Sequence, residues 1–290
     1  MDPSAHTYLG IRRDPQFSPG SVERDEAIFR SVCKALRERG VHVSLCDERN
    51  LSPDMPVQSF DAVFSMARSH QALEILSRCE QGGLCIFNSP LSILHFTRAR
   101  LVEMFEAEGI PQPATSVISL LRGEKPEEGF PLWLKRGDAC AQELDDVCYV
   151  ATPEDLGRAL DGFRKRQLDE IVACEHVKGD IVKFYGVEGT DFFHIHYPTR
   201  DNTFSKFGFE RLNGTPQGHS FSLLRLKAAA DKAAAMSGFA IYGGDCIIRA
   251  DGTFAIIDFN DWPSFSPCRE DAATAIAKRI IQIPRDNNHA

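Results

Sequence analysis

Gly244-Asp245-Cys246-Ile247-Ile248-Arg249 and Ala255-Ile256-Ile257-Asp258-Phe259-Asn260 decide how this chain is read. Each is an apolar run of strand length, and Ala250-Asp251-Gly252-Thr253 between them is a hairpin signal. Side chains alternate along a strand, so Asp258 and Asn260 share a face, and Asp245 opens the partner strand beside them. Two carboxylates and an amide oxygen are hard ligands. They suit Mg²⁺, which binds through one or two carboxylates plus substrate phosphates. A solvated hairpin edge is the blander reading. It is weakened because acids ending a buried strand need a partner, and because Trp262, Pro263 and Phe265 follow at once.

Upstream, two clusters carry complementary chemistry. Trp133-Leu134-Lys135 ends an apolar strand in a lysine, before the small turn Arg136-Gly137-Asp138-Ala139. A lysine so placed can neutralise phosphate oxygens, although most such lysines only snorkel to solvent. Glu175-His176-Val177-Lys178-Gly179-Asp180 links two strand-like runs. Its backbone can pair an adenine edge and Asp180 can accept from ribose hydroxyls; an ordinary strand connection is the alternative.

The first third alternates strand and helix: Thr7 to Ile11, Ser21 to Arg39, Val41 to Cys46, Asp61 to Met66, Gln71 to Cys79 and Leu84 to Phe87. This β-α-β pattern implies a parallel sheet with helices on its faces. One long helix is expected within Pro90–Gly109, then an extended Ala114–Ser119. Past residue 115 the pattern turns to antiparallel strands: Pro131 to Lys135, Leu144 to Val150, Glu170 to Cys174, Ile181 to Val187 and Phe192 to Tyr197. Thr152-Pro153-Glu154-Asp155 reads as a capped helix start. Arg200–Gly218 reads as a long functional loop and Pro284–Ala290 as a polar tail.

The order of the clusters resembles the ATP-grasp superfamily: a lysine strand, a Glu-x-x-x-Gly-Asp hinge, then Asp with a later Asp-x-Asn. Asn88-Ser89-Pro90, the helix with Arg98, and Gly109-Ile110-Pro111 resemble the entry to its nucleotide domain. The resemblance spans essentially the whole chain. It implies an α/β fold with a Rossmann-like substrate domain (1–115) and an α+β ATP-grasp domain of two subdomains (116–178 and 179–290). It implies ATP and Mg²⁺ as cofactors, with Lys135 and Lys183 at the phosphates, Glu175, His176 and Val177 at adenine, Asp180 at ribose, and Asp245, Asp258 and Asn260 at the metal. The chain departs from the pattern in three places. The segment Arg136–Asp146 has a single glycine, Asp258 stands where ligases more often have Glu, and Gly243 stands where D-alanine–D-alanine ligases often have Arg. A transition-state arginine is then expected elsewhere, at Arg211 or Arg249.

The implied reaction is a carboxylate–amine ligation through an acyl phosphate. The Asp-x-Asn form also resembles inositol phosphate kinases, so a small-molecule kinase is the first alternative. A non-catalytic nucleotide-binding protein is the second.

Arg12 and Arg13 end the first strand, where ligands of open α/β sheets gather. With Arg68 and Ser264 they are candidate contacts to an anionic acceptor. His194 and His196 share a strand face, but no third metal ligand is evident. A net charge of −8 without a basic stripe argues against nucleic acid. No run approaches the roughly 20 apolar residues of a membrane span, and Met1–Gly10 lacks the features of a signal peptide. The expected location is the cytoplasm. The nine cysteines form no C-x-x-C pair and read as reduced, small hydrophobes.

Overall fold

The computed structural model describes residues 6–139, 144–198, 200 and 208–282. Parts of the glycine-poor stretch and of the long loop, and the polar tail, lie outside these residues. Three four-stranded sheets organise the chain, in an α/β fold.

The first sheet holds β1 (Thr7–Arg12), β2 (His42–Asp47), β3 (Ala62–Ser65) and β4 (Ile86–Phe87), all parallel, in the order β2-β1-β3-β4. Helix α1 (Val22–Arg37) joins β1 to β2, and α2 (His70–Gln81) joins β3 to β4. The middle of β1 is buried on both faces, which is why it reads as a continuous apolar run. Helix α1 lays Ile28, Phe29, Val32 and Leu36 onto the sheet.

The expected long helix is two helices, α3 (Pro90–Leu94) and α4 (Arg98–Ala107). The break has a local cause. The Thr97 side chain accepts from the Arg100 N–H at 3.1 Å and starts a new helix, while Phe96 packs on Phe239 with ring centroids 4.8 Å apart.

The second sheet is antiparallel, ordered β5-β8-β6-β7, from β5 (Thr115–Ser119), β6 (Leu132–Arg136), β7 (Val147–Val150) and β8 (Glu170–Glu175). Helix α5 (Pro153–Lys165) covers it, and its start is a full capping box between Thr152 and Asp155. The strand expected from Leu144 begins only at Val147. Leu144–Asp146 is a helical turn, because the fully buried Asp146 turns in to meet Arg166 at 2.7 Å.

The third sheet is antiparallel, ordered β10-β9-β11-β12: β9 (Asp180–Val187), β10 (Phe193–His196), β11 (Ile241–Ile248) and β12 (Phe254–Asp261). Helix α6 (Leu223–Ser237) packs Leu226, Ala230 and Ala234 on one face. Helix α7 (Arg269–Ile281) returns to α1, so Ile276 and Ile280 join Val187, Ile241, Trp262 and Phe265 in one core with the first sheet. The second sheet has a core of its own, built on Leu132, Leu134, Phe163 and Ile171. Helix α4 touches both: Leu101 and Phe105 enter the third sheet's core, while Ala99 and Val102 pack on Val172 of the second.

Gly244 allows β11 its central position. A Cβ there would lie 2.3 Å from the Asp258 carbonyl oxygen and 2.5 Å from the Phe184 ring. Gly244→Ala is expected to lower stability by about 1–3 kcal/mol through overpacking, read as a fall in urea midpoint. An unchanged midpoint would show that the strands separate there without cost. Among the described residues no helix is long and apolar enough to cross a membrane.

Candidate active site

One cavity of about 950 Å³ lies between the second and third sheets and is closed at one end by the first. The register of the third sheet lays out its floor in rows. Lys183, Asp245 and Asp258 stand side by side across β9, β11 and β12. Two residues along, the row is Tyr185, Gly243 and Asn260. Two residues the other way, Ile181 faces Ile247. Each step is roughly 7 Å at strand rise, so the floor passes from apolar to charged to small and polar over on the order of 14 Å.

The charged row has a built-in conflict. Asp245 and Asp258 are directly opposed in the ladder, and like charges so placed repel. Cations relieve this. Lys183 Nζ lies 2.9 and 3.1 Å from the two Asp245 carboxylate oxygens and 3.3 Å from Glu210. Burial works against its ammonium, yet Asp245 and Glu210 hold its pKa above the ordinary lysine value. Asp245 itself is pushed up, chiefly by burial, with Asp258 adding and Lys183 opposing. Burial also pushes Asp258 up, but Arg98, Lys135 and the Asn260 amide outweigh it and hold the carboxyl below its usual range.

A bulge in β12 places one more group. Asp245 opposes Asp258 while Cys246 opposes Ile256, which leaves Ile257 as the extra residue. Its carbonyl accepts from Lys135 Nζ at 2.8 Å, across the cleft from β6. Lys135 is only 9% exposed and aims inward.

The apolar end is a slot. Trp133, His176 and Phe209 form its rim: the Trp133 indole N–H donates to His176 Nδ1 at 3.1 Å, and Phe209 meets the indole edge-on at 5.5 Å. Ile181, Ile247 and Val177 form its floor and side. The linker after β8 follows the slot. Glu175 and His176 donate their N–H groups to Ala114 and Pro131 carbonyls, and Asn213 donates to the Val177 carbonyl at 3.1 Å.

Six expected residues stand elsewhere or are already engaged. Asp180 is 3% exposed, and its carboxylate accepts from the N–H groups of Gln217, Gly218 and His219 at 2.6–2.8 Å, so it anchors a loop instead of lining the cavity. Arg12 points away, to Asp47 at 2.8 Å and Glu26 at 3.9 Å. Arg249 lies outside the cavity lining, 3.7 Å from Glu175, and Arg211 is exposed and outside it as well. Arg13 and Arg68 do line it, but each meets an acid: Asp25 at 2.9 Å and Asp261 at 2.6 Å. Burial and the neighbouring Arg68 bring the Arg13 guanidinium down to about 10, still charged at neutral pH. Ser264 lines the acceptor end, its hydroxyl 3.0 Å from that of Ser266.

Solved structures with this fold exist. The chain superposes on a RimK domain protein ATP-grasp from Sphaerobacter thermophilus (TM-score 0.66, 17% identity, covering 94% of this chain and 99% of that one). It superposes on a D-cycloserine synthetase (0.61, 15%, 94% and 99%) and on the D-alanine–D-alanine ligase of Bacillus anthracis complexed with ATP (0.63, 14%, 96% and 96%). The chain has the ATP-grasp fold. No family model and no curated protein matches the sequence itself.

The sequence marks Arg98 only as part of the entry helix, with no place in this ATP-grasp cleft. Arg98, at the first position of α4 and 8% exposed, donates to the Arg136 carbonyl at 2.9 Å and stands 3.8 Å from Asp258. The Thr97 cap was its signal, since a cap fixes which way the first turn faces. His194 and His196 alternate on β10 as expected, and only His196 reaches the ATP-grasp cavity. Among the described residues no three His, Cys, Asp or Glu side chains gather as a metal cluster. The donor set is therefore two carboxylates and an amide. That fits Mg²⁺, whose remaining positions are filled by phosphate and water, and does not fit a closed zinc site.

Proposed function

We propose that this protein is an ATP-dependent ligase that activates a small-molecule carboxylate as an acyl phosphate and joins it to an amine. The observation that carries the reading is the graded floor. It is an apolar slot, then opposed carboxylates flanked by Lys135, Lys183 and Arg98, then a polar end with Ser264 and Ser266. The names of two structurally similar proteins, a ligase and a synthetase, support the same class.

In this reading the slot between Trp133, Val177 and Ile247 holds adenine, and the linker backbone at His176–Val177 meets its edge. Glu175, at the slot mouth, takes the ribose hydroxyls in place of Asp180. Lys135 and Arg98 bind the phosphates, and Lys183 keeps Asp245 ionised. Asp245, Asp258 and Asn260 would hold Mg²⁺, which neutralises charge on the phosphates being parted when it is bound. An oxygen of the acceptor carboxylate attacks the γ-phosphorus and ADP leaves. The amine nitrogen then attacks the acyl carbon, phosphate leaves, and the amine gives up its proton to it. The cleft positions the reactants and shields the acyl phosphate from water.

Product analysis tests this. A ligase forms ADP and free phosphate only with both acid and amine present. With the acid alone, ATP carrying ¹⁸O in the β–γ bridge scrambles that label. A phosphorylated acceptor that accumulates would instead establish a kinase, the reading that Asp258 in place of glutamate favours. No ADP with any acceptor, despite ATP binding, would leave a non-catalytic binder.

Lys135→Ala is expected to weaken ATP binding by about 1.5–3 kcal/mol, the worth of a hydrogen bond to a charged group, and to spare adenosine. Calorimetric titration with both ligands checks it. Equal losses would place Lys135 away from the phosphates.

A further inference from the structure

The charges lining the cleft pair off unevenly. Six basic residues line it: Arg13, Arg24, Arg68, Arg98, Lys135 and Lys183. Four have acids at hand: Arg13 with Asp25, Arg68 with Asp261, Arg98 with Asp258, and Lys183 with Asp245. Lys135, which acts on Asp258 from further off, and Arg24 form no ion pair within 4 Å among the described residues. Lys135 faces the phosphate end. Arg24 stands at the opposite end, in the first turn of α1, where its guanidinium contacts only the Gly20 carbonyl at 2.9 Å and the Ser21 hydroxyl at 2.8 Å.

The segment beneath Arg24 is held in place. Ser18 donates to Asp25 at 2.6 Å, Arg13 donates to the same oxygen at 2.9 Å, and the Asp25 N–H closes onto the Ser21 carbonyl at 2.9 Å. Arg13 also donates to the Trp262 carbonyl at 3.4 Å, which ties this segment to the one that leaves the metal strand. Across the gap lie the paired hydroxyls of Ser264 and Ser266 and the ring of Tyr185. Arg24 is close enough to Tyr185 to oppose the rise of its hydroxyl pKa, which burial drives up to about 12. Gly243 lies between Tyr185 and Asn260 in the ladder, and its missing side chain lets the Pro263 ring close in, 2.8 Å from where a Cβ would stand.

We infer that Arg24 is the anchor for a compact anionic group, carboxylate or phosphate, on the substrate that reacts with ATP, gripped between its guanidinium and the Ser264–Ser266 hydroxyls. The inference rests on the ligase reading for the direction in which the substrate lies, and it adds a specificity determinant to it. At this end Asp25 and Asp261 are already taken by Arg13 and Arg68, so the Arg24 guanidinium is the positive charge left over, and it favours a substrate that brings its own negative charge. The arginines that the sequence singles out are ruled out by their partners: Arg12, Arg13 and Arg68 already have carboxylates.

The test compares wild type, Arg24→Gln and Arg24→Lys by calorimetry. Each protein is titrated with Mg²⁺ and adenylyl imidodiphosphate, and the loaded protein is then titrated with acetate and with inorganic phosphate. The expected result is weak 1:1 anion binding to wild type, lost about tenfold or more in Arg24→Gln and partly kept in Arg24→Lys, with nucleotide affinity unchanged. The better-bound of the two anions identifies the group. Anion affinity equal in all three proteins, no anion binding to wild type, or a parallel fall in nucleotide affinity would each overturn the inference. Should wild type bind no nucleotide, the ligase reading falls by itself, and acetate titration of the free protein still decides on Arg24.

Discussion

Arg98→Met is expected to lower kcat/KM on the order of 10²–10³-fold and to lower stability by about 3–5 kcal/mol as well. The double effect follows from where the guanidinium lies. It is nearly buried, it supplies the donor to the Arg136 carbonyl, and it is one of the cations that let Asp258 remain ionised beside Asp245. Met fills the volume of the stem but leaves the carbonyl unbonded and the carboxylates short of a counter-charge. Arg98→Lys restores charge without the planar fork, so it should recover more stability than activity. Urea midpoints and kcat/KM on the three proteins check this. If Arg98→Met keeps the wild-type midpoint, the contacts at the start of α4 carry no energy and the assignment fails.

Asp258→Asn is expected to cost about 10³-fold in kcat/KM, the several kcal/mol that metal stabilisation of the transferred phosphoryl group supplies. Asparagine keeps the shape and removes the charge. The sharper readout is binding. Mg²⁺ with ATP should raise the melting temperature of wild type by mass action, and the Mg²⁺-dependent part of that rise should vanish in the variant, whereas adenosine should stabilise both alike. A variant that still responds to Mg²⁺ would remove Asp258 from the metal site.

What could be read from the sequence was what depends on neighbours in the chain. Alternation placed Asp258 and Asn260 on one face, and the hairpin brought Asp245 opposite Asp258. The Thr152 capping box and the β-α-β opening were legible for the same reason. The Lys183–Asp245 pair was not, because it depends on β9 and β11 meeting across 62 residues of chain. Arg12 and Arg13 divide by the same alternation. Adjacent residues at a strand end point to opposite sides, so one of the two had to leave the cleft, and Arg12 did. Asp180 anchors a loop, since a carboxylate at a strand start serves a backbone turn as readily as a ligand. Nothing in the sequence gives Arg24 a role, and Arg98 is marked only as part of the helix that enters the nucleotide domain. Only the packing shows that one helix start faces the polar end of the cleft and the other its charged floor.

The division of the hydrophobic core sets the mechanics of the cleft. The first and third sheets share one core through α7, Trp262 and Phe265, and parting them would expose it. The second sheet keeps its own core and reaches the rest through small apolar contacts, among them that of Ala99 and Val102 with Val172, and through polar latches such as Lys135 on the Ile257 carbonyl. The cleft thus has one fixed jaw and one light jaw, with α4 as the axle between them. On the proposed reading, a nucleotide would compete for the lysine that latches the light jaw, so whatever fills the slot would also take over the fastening between the jaws.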